Sequence, residues 1–125
     1  MKILENVASR LKTAFNKKEN VSKQEFINDS TSALTLNLSI ASSFKIILTD
    51  NCSLTLSNAS SGLVTTLIIK QDVVGSRLLT FPANVRWQGG VAPLLSTNPG
   101  KKDLITLYYD DNEDIFIGGF ITDYA

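Results

Sequence analysis

The chain has 125 residues, no histidine, one cysteine, and 12 Lys plus Arg against 12 Asp plus Glu, for a formal charge of zero. That length suits about one domain with a core of its own. Without histidine there is no Ser–His–Asp triad, Cys–His pair or His-ligated metal, one cysteine makes neither an internal disulfide nor a zinc site, and zero charge argues against a nucleic-acid binder.

Residues 1–18 read as a helix with no Gly or Pro inside it. Ile3 lies on the same stripe as Leu4, Val7, Leu11 and Ala14, and these last four keep a 3-4-3 spacing, an a/d seam two heptads long. A lone helix of that length is marginal in water, so the seam asks for a partner. Each aliphatic side chain buried on it would contribute roughly 1.5–3 kcal/mol. The partner is the chain's own body or another chain, and docking or oligomerisation through Leu4, Val7, Leu11 and Ala14 is the favoured expectation. No uninterrupted apolar stretch follows Lys2, so a signal peptide is not expected. No apolar run approaches the roughly 18 residues of a membrane helix, so membrane insertion is not expected either.

Residues 19–32 read as a connector. Ser22-Lys23-Gln24-Glu25 has the form of a capping box, which predicts a short helix through Phe26-Ile27. Asn28-Asp29-Ser30-Thr31-Ser32 would end it. Residues 1–32 thus form a helical anchoring or oligomerisation arm, and residues 33–125 a body.

From Ala33 the period changes to two. Leu34, Leu36, Leu38 and Ile40 alternate with Thr35, Asn37 and Ser39. Phe44, Ile46 and Leu48 alternate with Lys45, Ile47 and Thr49, and Leu54 and Leu56 with Ser53, Thr55 and Ser57. This is strand patterning, apolar inward and hydroxyl outward. It accounts for a chain with 13 Ser and 11 Thr and only 19% charged residues, against roughly 25% in an ordinary domain. Further strands are expected at 63–70, 77–81, 84–87, 103–110 and 114–122, separated by Asn, Asp, Gly and Pro. The fold class is all-β: a β-sandwich or jelly-roll-like body of about eight strands behind the N-terminal helical arm. The strands at 63–70 and 103–110 carry aliphatics on both alternations, so their second face asks for a cover, either the N-terminal helix or, preferred, a neighbouring subunit.

From about Leu34 onward the chain resembles a β-domain family of bacteriophage virion appendages, of tail-fibre or head-fibre type. The resemblance rests on Phe44-Lys45-Ile46-Ile47-Leu48-Thr49-Asp50-Asn51, Leu54-Thr55-Leu56-Ser57-Asn58 and Ile69-Lys70-Gln71-Asp72. Its most specific run is Gly75-Ser76-Arg77-Leu78-Leu79-Thr80-Phe81-Pro82-Ala83-Asn84-Val85-Arg86-Trp87. Gly89-Gly90, Pro93, Leu95-Ser96-Thr97 and Lys102-Asp103-Leu104-Ile105-Thr106-Leu107-Tyr108-Tyr109 continue it. Gln88 stands where the family usually has Pro, and Asp114-Ile115-Phe116-Ile117-Gly118 replaces an aromatic last hairpin, which weakens any sugar-stacking role. The resemblance implies a homotrimeric structural protein of the virion, a short fibre with no chemistry of its own, made in the bacterial host cytoplasm. Its implied partners are other copies and other virion proteins. A glycan-binding host-recognition module and a capsid decoration or cement protein are the alternatives.

Candidate sites are few. Trp87, beside Arg86 and two glycines, is either a stacking platform for a sugar or a structural anchor whose indole N–H bonds backbone; the anchor is favoured. Asp110, Asn112 and Asp114 imitate the start of a calcium loop, but Ile115 and Ile121 occupy the positions that need Gly and Glu, so a solvated turn is expected. Ser42-Ser43-Phe44-Lys45 has the Ser-x-x-Lys form without its partner motifs. Cys52, in register with Leu54 and Leu56, reads as a core residue, and five Asn-x-Ser sequons (Asn20, Asn28, Asn37, Asn51, Asn58) follow from composition. No catalytic, cofactor or metal residue is assigned, because proton transfer would fall to carboxylates with no paired constellation. Six basic and three acidic groups lie in residues 1–25, and six acidic with no basic in 103–125, so neutrality is a sum of two unlike ends.

Overall fold

The computed structural model describes residues 23–125. The seam residues Leu4, Val7, Leu11 and Ala14, and the helix expected over 1–18, lie outside the described residues. Nine strands follow in order: β1 Gln24–Ile27, β2 Ala33–Asn37, β3 Ser43–Leu48, β4 Cys52–Ser57, β5 Val64–Gln71, β6 Leu79–Thr80, β7 Val85–Trp87, β8 Lys102–Asp110 and β9 Ile115–Tyr124. The last eight fall where alternation and breakers place them. One short 3-10 turn, Gln88–Gly90, is the helical element among the described residues.

Two sheets form, a six-stranded one in the order β1-β3-β5-β8-β9-β7 and a three-stranded one in the order β2-β4-β6. From β1 to β6 the chain alternates between them, and each strand pairs in parallel with the strand two along. Gln24 lies opposite Ser43 and Ser43 opposite Thr66, while Ala33 lies opposite Ser53 and Ser53 opposite Thr80. The first half is therefore a coil of three turns. The antiparallel β8–β9 hairpin then extends the large sheet from β5, and β7 closes its far edge parallel to β9. The body is all-β with two sheets, and the parallel ladders differ from the antiparallel Greek keys of a jelly roll. Period-two patterning specifies a half-buried strand and says nothing of its neighbour's direction, which is why the coil was not legible.

The second difference is β1. A helix was expected through Phe26-Ile27; the segment is a strand on the large sheet's edge, with Ile27 opposite Ile46 and Glu25 opposite Phe44. Ile27 packs against the core, which outweighs the local capping signal. Residues 24–27 thus belong to the sheet, and the division at 32/33 falls after the body's first strand.

One core lies between the sheets. Phe44, Ile46, Leu48, Leu67, Ile69, Ile105, Leu107 and Phe116 enter it from the large sheet, and Leu36, Cys52 and Leu54 from the small one. Each such side chain contributes roughly 1.5–3 kcal/mol by leaving water. The small sheet turns Thr35, Ser53, Thr55 and Thr80 to solvent. No helix among the described residues is long and apolar enough to cross a membrane.

Candidate functional site

Trp87 ends β7, on the same alternation as the buried Val85. Its partner on β9 is Gly118, and a Cβ added there would lie 2.5 Å from Trp87 Cζ3. The glycine is therefore the floor under the indole. Phe81 meets the ring edge-on at 4.9 Å between centroids, and Phe120 at 6.0 Å. The ring is half-buried and packed against the core. The backbone bond expected for its N–H is not made: among the described residues Trp87 Nε1 has no hydrogen-bond partner, and the side chain is held by ring packing alone. One ring face lies on Gly118, so that face is closed to a stacking partner.

A second cluster was missed at the sequence level. Gln71 ends β5 and Asp103 begins β8, both on the inward alternation and both buried. Gln71 Nε2 donates to the carbonyls of Arg77 (2.8 Å) and Ser96 (3.0 Å), and its Oε1 accepts from Arg77 N at 3.0 Å. Asp103 accepts from Ser96 N and Ser96 Oγ, both at 2.7 Å, and from Asp123 N at 3.0 Å. The β8–β9 register shifts between Lys102 and Leu104: Thr122 and Asp123 together stand opposite Asp103, a bulge in β9 that brings the Asp123 amide onto the inward-facing carboxylate. Beside it Asp72 accepts from Val74 N, Gly75 N and the Arg77 guanidinium, with Nη2 to Oδ2 at 3.1 Å. The Arg77 side-chain bond, then the Gly75 amide, hold the Asp72 carboxyl below its ordinary value. Gly75 has φ +77°, and a Cβ there would stand 2.6 Å from the Thr97 carbonyl. These groups clamp the loops on either side of β6 and β7 to the body. Polar residues at inward positions of Leu67-Ile69-Gln71 and Asp103-Ile105-Leu107 were the available signal.

The acidic run 110–114 is the exposed β8–β9 turn. Asp110 Oδ1 accepts from Asn112 N, Asp111 from Ser61 Oγ at 2.9 Å, and Asp114 from the Tyr109 hydroxyl at 2.7 Å. The hydrogen bond to the Asp114 carboxylate raises the Tyr109 hydroxyl's pKa. Among the described residues no three His, Cys, Asp or Glu side chains are grouped to hold a metal ion.

Cys52 is buried in the core, where desolvation raises its thiol's pKa. Ser30, fully buried between β1 and β2, accepts from Thr49 N through its hydroxyl. Asp29 accepts from the Thr49 hydroxyl and, at 3.1 Å, from Thr31 N, and these bonds, the hydroxyl's first, lower its pKa. Ser42 directly precedes β3 and Lys45 lies within it, with Lys45 Nζ 5.6 Å from the Phe26 ring centroid. The helix start that the Ser-x-x-Lys chemistry requires is absent there. The side chains so placed fasten loops to strands.

Comparison with known proteins gives no match, whether to a family model, a curated protein or a solved structure.

Proposed function

We propose that this chain is a structural protein of a bacteriophage virion, a homotrimeric short fibre docked to the particle by its N-terminal segment. The observation that carries the reading is what the most family-like run, Gly75 to Trp87, does. Gly75 lets two loops touch, Arg77 locks onto Asp72 and Gln71, and Phe81 and Trp87 seal the sheet over Gly118. The residues that carry the resemblance are spent on holding a shape, as befits a module whose work is to be a rigid part. A surface of Ser, Thr and Asn on the small sheet supports a body that projects into solvent. A glycan-binding role is the weaker reading, because Phe81, Phe120 and Gly118 already take up much of the Trp87 ring.

The test is the mass of the full chain by light scattering, with particle labelling by antibody against the body. A mass of three chains or a whole multiple of three, which the Leu11→Asp variant reduces, and antibody seen on virions, is the expected result. A monodisperse monomer at micromolar concentration overturns the trimer, and unlabelled virions overturn the structural role.

A further inference from the structure

We propose that the outer face of the six-stranded sheet is an interface between two copies of this chain, packed with their strands antiparallel. This rests on the reading of the chain as a self-assembling structural protein, and it names the surface.

The ladders place the outward side chains in rows across the sheet. One row runs Phe26, Lys45, Ile68, Leu104, Ile121, and another Val64, Tyr108, Ile117, Arg86. Phe26, Val64, Ile117 and Ile121 are each at least half exposed, at 52, 50, 51 and 58%. Near the end of the face Ile68, Lys102, Leu104 and Tyr124 line a hollow of about 280 Å³. The other sheet supplies the contrast within one molecule. Its outward rows are Thr35 with Thr55, and Ala33, Ser53 and Thr80, the ordinary solution for a wetted face. Between the large sheet's two apolar rows lies a row of Ser43, Thr66, Thr106 and Gly119. Two rows of half-exposed large apolar side chains on one sheet, where the other sheet turns out mostly Ser and Thr, mark a contact surface.

Charge decides the occupant. Lys70 and Lys102 lie opposite each other at one end of the strands, and neither is in an ion pair among the described residues. Asp110 and the exposed carboxylates of Asp111, Glu113 and Asp114 lie at the other end of β8. The face is positive at one end and, Arg86 apart, negative at the other, with Thr66 and Thr106 between two apolar rows in its middle. A second copy turned end for end sets each lysine pair against the partner's acidic turn, twice over, as a two-fold contact requires. A three-fold axis along the strands would bring like ends together. Residues 1–22 suit the face less well, since their five Lys and Arg against two Glu would lie beside Lys45, Lys70 and Lys102. A full chain that trimerises elsewhere and uses this contact reaches six copies.

The test is carried out on the full chain. Thr106 is at the middle of the β8 outer alternation and exposed, while Cys52 is buried, so Thr106→Cys places one accessible thiol at the centre of the face. Mild oxidation should give disulfide-linked pairs. K70E/K102E should weaken association at least tenfold and abolish that crosslink, and mixing it with D110K/E113K should restore a mixed pair. An oligomer whose mass K70E/K102E leaves unchanged, with no crosslink through the Thr106→Cys thiol, overturns this interface and leaves self-assembly standing. A monomer overturns both. In a monomer, a thiol shielded from maleimide assigns the face to residues 1–22, and a freely labelled one assigns it to a different protein.

Discussion

Thr65 carries a buried side-chain oxygen with no hydrogen bond among the described residues, the Oγ1 atom on the inner face of β5 opposite Leu107. A buried hydroxyl without a partner costs roughly 1–3 kcal/mol. Valine has the same shape without that cost, and it suits a strand. Thr65→Val should therefore raise stability by about 1 kcal/mol, read as a higher urea midpoint at unchanged slope; a lower midpoint would mean that the hydroxyl has a role in the core. Asp72 is a residue-scale case of opposite kind. Its folded pKa is lowered, chiefly by Arg77, so as pH falls the unfolded chain takes up the proton first. The stabilisation is complete above the ordinary aspartate value of about 4 and is lost as pH falls through the lowered one. Asp72→Asn should flatten the acid side of the stability–pH curve in that window, by equilibrium unfolding at a series of pH values. An unchanged acid slope would show that other carboxylates set it.

At the scale of elements, Asp103, opposite the β9 bulge, ties β8, the end of β9 and the 88–101 loop into one unit. Asp103→Ala leaves the Ser96 amide and hydroxyl without their acceptor, and the Asp123 amide with Ser96 Oγ alone, at 3.1 Å. Bonds to a charged group contribute about 1.5–3 kcal/mol each, so the loss should reach at least about 3 kcal/mol. Hydrogen exchange should show the Ser96 and Asp123 amides losing protection before those of β5; uniform loss would deny the loop its separate anchor. Sequence patterning located β2 to β9 because each has one buried face, and Ser and Thr marked the other. It missed β1, where four residues carry too little period to outvote a capping motif. It missed the parallel pairing of β1 to β6, because direction is settled by long-range contact between turns of the coil. The aromatic seat of Trp87 was half legible: the tryptophan was readable as an anchor, but Gly118 as its floor emerges only from the β7–β9 register. The Gln71–Ser96–Asp103 clamp was written into inward-facing polar positions that alternation alone treats as exceptions.

At the scale of the molecule, what matters is that two sheets of unequal size share one core. Leu107 on β8 and Leu36 on β2 are both buried in the same cluster, although they belong to different sheets. The small sheet has no second apolar interior to fall back on, since its other face is mostly hydroxyl. Removing the small sheet would wet the inner face of the large one, so the layers are expected to unfold together. Leu107→Ala tests this from the middle of the large sheet. The cavity and lost transfer energy should cost about 2–5 kcal/mol. Trp87 fluorescence reports the β7–β9 edge, and far-ultraviolet circular dichroism reports all strands. In both the parent and the variant the two probes should give one coincident denaturant transition, shifted as a whole to lower midpoint in the variant. Separate midpoints would mean that the three-turn coil and the β8–β9–β7 extension are distinct cooperative units, with Leu107 stabilising only one of them.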